Sequence, residues 1–386
     1  MNRNGFGAAA TGRLVPTIED RRAFVPDPLP PRRPIDFGAI LPELTRATQA
    51  VGELKGIGRT VPNPLLLVRP LQRREAVSSS SMEGTYTTLT DLFLLEAGAS
   101  EVATRGDTRE VLNYVRALES AIAGLERLPI STRLLREAHA RLLTGVARHR
   151  GARVEAGELK RDQNWIGGSG RIDTARFIPA PPADTPDALD ALFGFVNRED
   201  RAQASPLIDA AFAHSQFEAI HPFADGNGRV GRMLIALMLI DNGTLPQPLL
   251  YMSPWLERHK DRYIDLMYAV PQRGAWEPWI AFFLTAVAES AGETIAVVER
   301  LQELQRGWRE RFQTARRSAL LLRIVDLALE QPVRSVTNIA EALGVTYAGA
   351  ANNIAELVAH GVAEEVPGSY PKRIRFPGVL EALGVG

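Results

Sequence analysis

The sequence predicts an all-α, mainly helical fold with one short β-hairpin, followed by a small winged helix-turn-helix at the C-terminal end. Three observations carry that expectation. Most long segments repeat apolar residues at helical spacing. Two β-prone stretches face each other across glycines within 161–179, as a hairpin requires. Beyond residue 315 three short helical patterns are followed by two β-prone stretches.

In chain order, the stretch through Arg33 is rich in proline (Pro26, Pro28, Pro30, Pro31) and reads as extended. Ile35 to Leu54 and Arg109 to Leu128 are helical, and Ser131 opens another helix to Ala147 as an N-cap. Between them Ser79 and Glu83 stand one helical turn apart, with Gly84 placed to end that turn. Arg161 to Gly168, including Ile166, Gly167 and Gly168, and then Phe177-Ile178-Pro179 form the hairpin. Leu207 to Ile220 and Met233 to Ile240 are helices flanking the loop His221 to Arg232, and Asn242-Gly243 closes the second. Trp276 to Glu303 is helical. Leu320 to Glu330, Ser335 to Leu343 and Tyr347 to His360 are the three C-terminal helices, and Val362 to Val366 and Arg373 to Phe376 the β-prone wing.

The loop H-P-F-A-D-G-N-G-R-V-G-R, His221 to Arg232, gathers the groups a nucleotide site needs. Gly226-Asn227-Gly228 stands at a helix N-terminus, where main-chain N–H groups and the helix dipole favour an anion and glycine lets a phosphate oxygen approach. Asp225 is a hard oxygen ligand beside it, and Mg²⁺ on a polyphosphate needs only one or two protein carboxylates, so ATP with Mg²⁺ fits. Arg229 and Arg232, three apart on the first turn, can turn both guanidiniums to the same side. His221, before the loop, is the residue type that accepts a hydroxyl proton near neutral pH. A plain hairpin turn is ruled out by the helical flanks. An EF-hand is ruled out because its twelfth position is Ala236 rather than a bidentate Glu.

These residues resemble the Fic family signature H-x-F-x-[DE]-G-N-G-R-x-x-R at every defined position. The resemblance implies a Fic fold and protein adenylyl transfer. His221 would deprotonate a Ser, Thr or Tyr hydroxyl of a target protein, which attacks the α-phosphate of ATP with loss of pyrophosphate. Phe223 would anchor the loop and Asp225 bind Mg²⁺. Gly226, Asn227 and Gly228 would hold the phosphates, with Arg229 and Arg232 on the β and γ groups. A kinase-like branch carries Lys where this chain has Gly228, so AMP transfer is implied over phosphate transfer. The hairpin at Ile166, Gly167 and Gly168 would be the flap that registers an extended target segment by strand addition. Ser79 to Gly84 matches the family's inhibitory motif [ST]-x-x-x-E-[GN], in which Glu83 would pair with Arg232 and take the γ-phosphate's place. Self-modification and removal of AMP, with Glu83 positioning water, are further expectations of the resemblance. It runs from about Phe24 to Leu284 and includes Pro62-Asn63-Pro64 and Arg74-Glu75-Ala76. Tyr251, Ser253 and Tyr263 are expected near the nucleotide or in helix packing.

The domains expected are an extension over 1–105 with its inhibitory helix around 78–84, a catalytic core over 106–290, a connecting helix over 291–314 and the winged helix over 315–386. A winged helix usually binds DNA, but Thr346 to Ala359, in the recognition position, holds no Lys or Arg, and phosphate contacts supply most of such affinity. From Ala315 onward seven basic residues face seven acidic ones, which favours protein docking or a homodimer. The alternative is a DNA-binding regulator with ATP as a ligand.

Composition narrows the classes further. Lys+Arg 45 against Asp+Glu 45 leaves no net field to draw the chain to nucleic acid or membrane. Zero cysteines exclude disulfides and thiol chemistry, and the six histidines show no metal-ligand spacing; His214 reads as structural. The longest unbroken apolar run is Met233 to Ile240 and Met1 to Pro16 has no apolar signal core, so the expected place is cytoplasmic, with no membrane partner.

Overall fold

The computed structural model describes residues 6–60, 65–100, 107–145, 148–149, 152–153, 155–313 and 319–384; Pro62, Asn63, Pro64, Ala147, Arg316 and Arg317 lie outside them. The helices are α1 (Leu41–Thr60), α2 (Leu65–Met82), α3 (Leu89–Glu96), α4 (Thr108–Gly124), α5 (Thr132–Leu142), α6 (Thr185–Val196), α7 (Pro206–Ile220), α8 (Asn227–Asp241), α9 (Ser253–Arg258), α10 (Lys260–Arg273), α11 (Trp276–Phe312), α12 (Ala319–Glu330), α13 (Val336–Leu343), α14 (Tyr347–Ala359) and α15 (Pro377–Ala382). The strands are β1 (Gly12–Pro16), β2 (Arg22–Pro26), β3 (Arg148–His149), β4 (Ala152–Arg153), β5 (Val333–Ser335), β6 (Glu364–Glu365) and β7 (Arg373–Arg375). The chain is mainly helical, as its periodicity predicts. It folds as two compact units, residues 1–55 with 113–290 and residues 56–112 with 291–386. Compaction thus parts the N-terminal extension near residue 55, where the sequence offers no linker.

In the first unit α7 is buried along nearly its whole circumference, from Leu207 to Ile220, because apolar and small residues cover every face. It packs against α6, α8, α10 and β2, and Trp279 of α11 donates its indole N–H to Ala211 O at 2.9 Å. Caps follow the sequence: Ser131 accepts from Leu134 N to start α5, and Gly243, at φ 71°, follows the end of α8.

The proline-rich N-terminal stretch is not merely extended. It forms an antiparallel hairpin, with Gly12 opposite Pro26 and Pro16 opposite Arg22. Its tight turn puts Glu19 and Asp20 at φ 53° and 54°, the pair of left-handed residues that matches strand twist. The two prolines sit at strand ends, where a missing N–H costs the ladder least. Gly12 is required by close approach: a Cβ there would lie 2.3 Å from Val25 O. Phe24 and Phe177 form one apolar cluster with Ala219 of α7 and Tyr268 of α10, and Ala23, Ile172 and Ile178 form another. The hairpin therefore underlies the segment 163–179.

In the second unit α2 packs on α3 and α12, and Arg73 binds Glu96 at 2.8 Å. α2 ends at Met82; Glu83 and Gly84 form the turn beyond it, with Gly84 at φ 82°. α12, α13 and α14 pack on one another, and α13 and α3 meet the first strand of a three-stranded antiparallel sheet of order β5-β7-β6. Its first strand, β5, was not expected. Ser335 and Thr346 cap α13 and α14, and Gly344 at φ 67° makes the turn between them. By length and composition α11 passes the test for a membrane span, although its longest unbroken apolar run is short. In this fold it buries Trp276, Trp279, Ile280 and Phe283 in protein, as core helices do.

Candidate active site

α7 delivers His221 and α8 delivers the glycines. The α7 ladder ends where His221 N donates to Phe217 O at 2.9 Å and His221 enters the left-handed region, φ 51° and ψ 61°. A non-glycine residue seldom sits there, and it does so where surroundings hold it. Gly226, also left-handed at φ 77°, is the N-cap of α8. Between them Phe223 is buried at 1 % exposure. Asn227 closes the loop from inside: its Oδ1 accepts from Phe223 N and its Nδ2 donates to Phe223 O, both at 2.8 Å. Its side chain is thus committed to the loop, and what Asn227 offers an anion is its main-chain amide. Asp225 Oδ1 accepts from Gly226 N at 2.6 Å, and Oδ2 lies 3.8 Å from Arg229. The Arg229 side chain is fully buried and Arg232 nearly so, which makes both interior cations of the first two turns of α8.

The loop is held from behind by residues that the sequence does not single out. His139 of α5 stacks on Phe223 with ring centres 3.9 Å apart and planes 9° from parallel. Its Nδ1 accepts from Gly157 N at 2.9 Å, so Nε2 carries the proton and donates to Asp225 O at 3.0 Å. Burial pulls the His139 imidazole's proton affinity down, to a pKa of about 4, so it works as a neutral strut. Lys160 is buried, and its ammonium donates to Ile220 O, His221 O and Asn164 Oδ1 at 2.9–3.0 Å. Burial draws its pKa down to about 7, while the three oxygens and the C-terminal end of α7 favour the charged form. Asn164 donates to His221 O and Phe223 O at 3.0 and 2.9 Å. One segment, 160–164, therefore grips the carbonyls on both sides of Pro222.

The same segment runs into the flap. Ile166 pairs with Phe177 through a single antiparallel bridge, Ile166 N donating to Phe177 O at 2.8 Å. The expected hairpin is thus reduced to one bridge and a glycine turn. Gly168 is required at φ 82°, since a Cβ would fall 2.4 Å from Thr174 O. Gln163 ties the flap's base to β1–β2 by accepting from Thr17 Oγ1 at 2.7 Å. His214 is structural, as expected: it donates to Gly231 O and accepts from Tyr263 Oη at 2.7 Å, which makes Tyr263 a packing residue. Tyr251 and Ser253 are buried around the start of α9. In the second unit Ser79 is fully buried and Glu83 half-buried. Among the described residues no three His, Asp or Glu are placed to hold a metal by themselves. Asp225, beside the N-terminus of α8, has the oxygen donor that a phosphate-carried Mg²⁺ would need.

Fold and loop define a helical protein with a histidine-bearing glycine loop at a helix N-terminus. Residues 41–123 match the Fic/DOC family N-terminal region and residues 129–239 the Fic/DOC family, together about half of the chain. The chain belongs to the Fic/DOC family. It is similar to the protein adenylyltransferase Fic of Culex quinquefasciatus, 32% identical over 129 residues, 33% of this chain and 23% of that one. To protein adenylyltransferase fic-1 of Caenorhabditis elegans it is 30% identical over 132 residues, 34% of this chain and 23% of the relative. The chain thus spans about a quarter of the length of these curated relatives. Its fold is similar to that of a Fic family protein from Desulfovibrio desulfuricans, with a TM-score of 0.57 at 20% identity over 90% of this chain and 98% of that one. A Fic domain containing signaling protein from Bacteroides thetaiotaomicron gives a TM-score of 0.51 at 20% identity, over 66% of this chain and 95% of that one.

Proposed function

We propose that the chain is a protein adenylyltransferase that moves AMP from ATP to a hydroxyl side chain of a target protein. The observation that carries this reading is the loop itself: His221 leaves α7 in a left-handed turn and Gly226 opens α8 five residues on. His221 Nε2 takes the proton of the target hydroxyl, and that oxygen forms a bond to the α-phosphorus. The bond from phosphorus to the bridging oxygen of pyrophosphate breaks, and pyrophosphate leaves. Main-chain amides of Gly226, Asn227 and Gly228 hold phosphate oxygens, and Arg229 and Arg232 supply positive charge behind them. When bound through Asp225, Mg²⁺ neutralises charge on the polyphosphate. The flap edge at Ile166 to Gly168 takes an extended target segment by strand addition, which fixes its path without fixing its sequence.

Glu83 acts as the restraint in this reading, supported by its motif and its place at the end of α2. The C-terminal module acts as a winged helix-turn-helix that docks protein or a second copy rather than DNA. What supports this is that its wing cations are engaged: Lys372 with Glu365, Arg375 with Glu364 at 2.7 Å, and Arg373 on main-chain oxygens such as Ala97 O at 3.2 Å. Wild type, Glu83→Gly and Glu83→Gly/His221→Ala are incubated with Mg²⁺ and ATP labelled at the α- or γ-phosphate, with and without lysate. The expected result is α-label on protein with Glu83→Gly, gone when His221 is also removed. Transfer of the γ-label instead would make the chain a kinase and overturn the reading.

A further inference from the structure

Glu218 lies one turn before His221 on α7, and the left-handed twist at His221 swings the imidazole back over it. Glu218 Oε2 is 3.6 Å from His221 Nδ1, with both side chains largely buried. Neither Nδ1 of His221 nor Oε1 of Glu218 makes a hydrogen bond in the described structure, although both atoms are buried. Leaving an imidazole N–H unmet in protein is costly, and the nearest carboxylate oxygen to Nδ1, Glu218 Oε2, is the one that can meet it. Room for the carboxylate comes from α8: a Cβ on Gly231 would stand 2.5 Å from Glu218 Oε1. His214 and Tyr268 feel the Glu218 charge, and His214 is bonded to Gly231 O and Tyr263.

We propose that Glu218 is a positioning residue for His221, accepting its Nδ1–H so that Nε2 presents a bare lone pair to the target hydroxyl. This rests on the adenylyl-transfer reading, in which His221 is the base. Neutral imidazole in water favours the opposite tautomer, with the proton on Nε2, which would leave no acceptor on the reacting side. A small rotation about either side chain closes 3.6 Å to a hydrogen bond, as catalytic contacts do when substrate binds. As the hydroxyl proton moves to Nε2, the imidazolium carries a proton on each nitrogen and the carboxylate faces its positive charge. The proton remains on His221 until it is released to solvent after product leaves. The arrangement is a two-residue counterpart of the carboxylate that orients histidine in hydrolytic triads.

The test combines imidazole nitrogen NMR at alkaline pH with kinetics, using the full chain on a Glu83→Gly background. The His221 signals are those missing from His221→Ala. The expected result is an Nδ1–H tautomer when Glu218 is present and an Nε2–H tautomer in Glu218→Ala. With it kcat falls at least about tenfold while KM for ATP stays within about twofold, the pattern of a lost general-base contribution. Glu218→Gln keeps the shape without the charge, so it folds where alanine does not and also loses rate. A folded Glu218→Ala with unchanged tautomer and unchanged kcat, or a folded Glu218→Gln with unchanged kcat, overturns the proposal. Failure of every form to transfer AMP defeats the function above, yet the tautomer comparison still decides whether Glu218 holds the imidazole.

Discussion

At the scale of single residues, the groups that hold the loop make sharper predictions than the loop. His139 is neutral in the fold at a pKa of about 4, against 6.5 for the unperturbed group. Between those values the unfolded chain binds the proton that the folded chain refuses, so stability is full above pH 6.5 and falls as pH drops toward 4. The loss is on the order of 3 kcal/mol. Chemical denaturation of wild type and His139→Gln across that window measures it: the slope with pH should shrink in the variant. Lys160→Met removes the donor from Ile220 O and His221 O, and should cost about 1–3 kcal/mol by the same assay. The contiguous loop was legible because twelve neighbouring residues carried its chemistry. His139, Lys160 and Asn164 were not, because they meet the loop only after folding; His139 contacts a residue 86 positions away. One signal was available for it: a histidine on the apolar face of α5 with Leu134, Leu135, Ala138 and Leu142.

At the scale of elements, the flap is one bridge and a glycine turn, so its order is lent to it by β1–β2. Phe24 is fully buried under Phe177, and Phe24→Ala should lose about 3–5 kcal/mol. Hydrogen exchange should speed up at Ile166 and Phe177 more than in α8; equal protection in the variant would separate hairpin from flap. Gly168→Ala forces a Cβ against Thr174 O at positive φ and should destabilise by about 1–3 kcal/mol. Helices were readable from period and caps; the N-terminal hairpin was not. Four prolines masked it, while its turn, Glu19-Asp20, lacks the glycine or asparagine that marks such turns. β5 was hidden for another reason, being three residues long and ending on Ser335, which also caps α13.

At the scale of the molecule, charge decides company. With 45 basic and 45 acidic residues the chain carries no net charge at neutrality, so solubility should be lowest near pH 7 and rise on either side. A turbidity series against pH checks this. No mobility shift is expected with mixed DNA duplexes at low salt; a retarded, salt-sensitive band would reverse the assignment of the C-terminal module. Finally, the left-handed backbone at His221 implies a conflict between usefulness and comfort. A helix end of this kind suits glycine, and a side chain there costs on the order of 1 kcal/mol. His221→Gly should therefore be inert yet melt no lower, and by that margin higher, than the parent. Selection for thermostability alone would discard the very residue on which the proposed reaction depends.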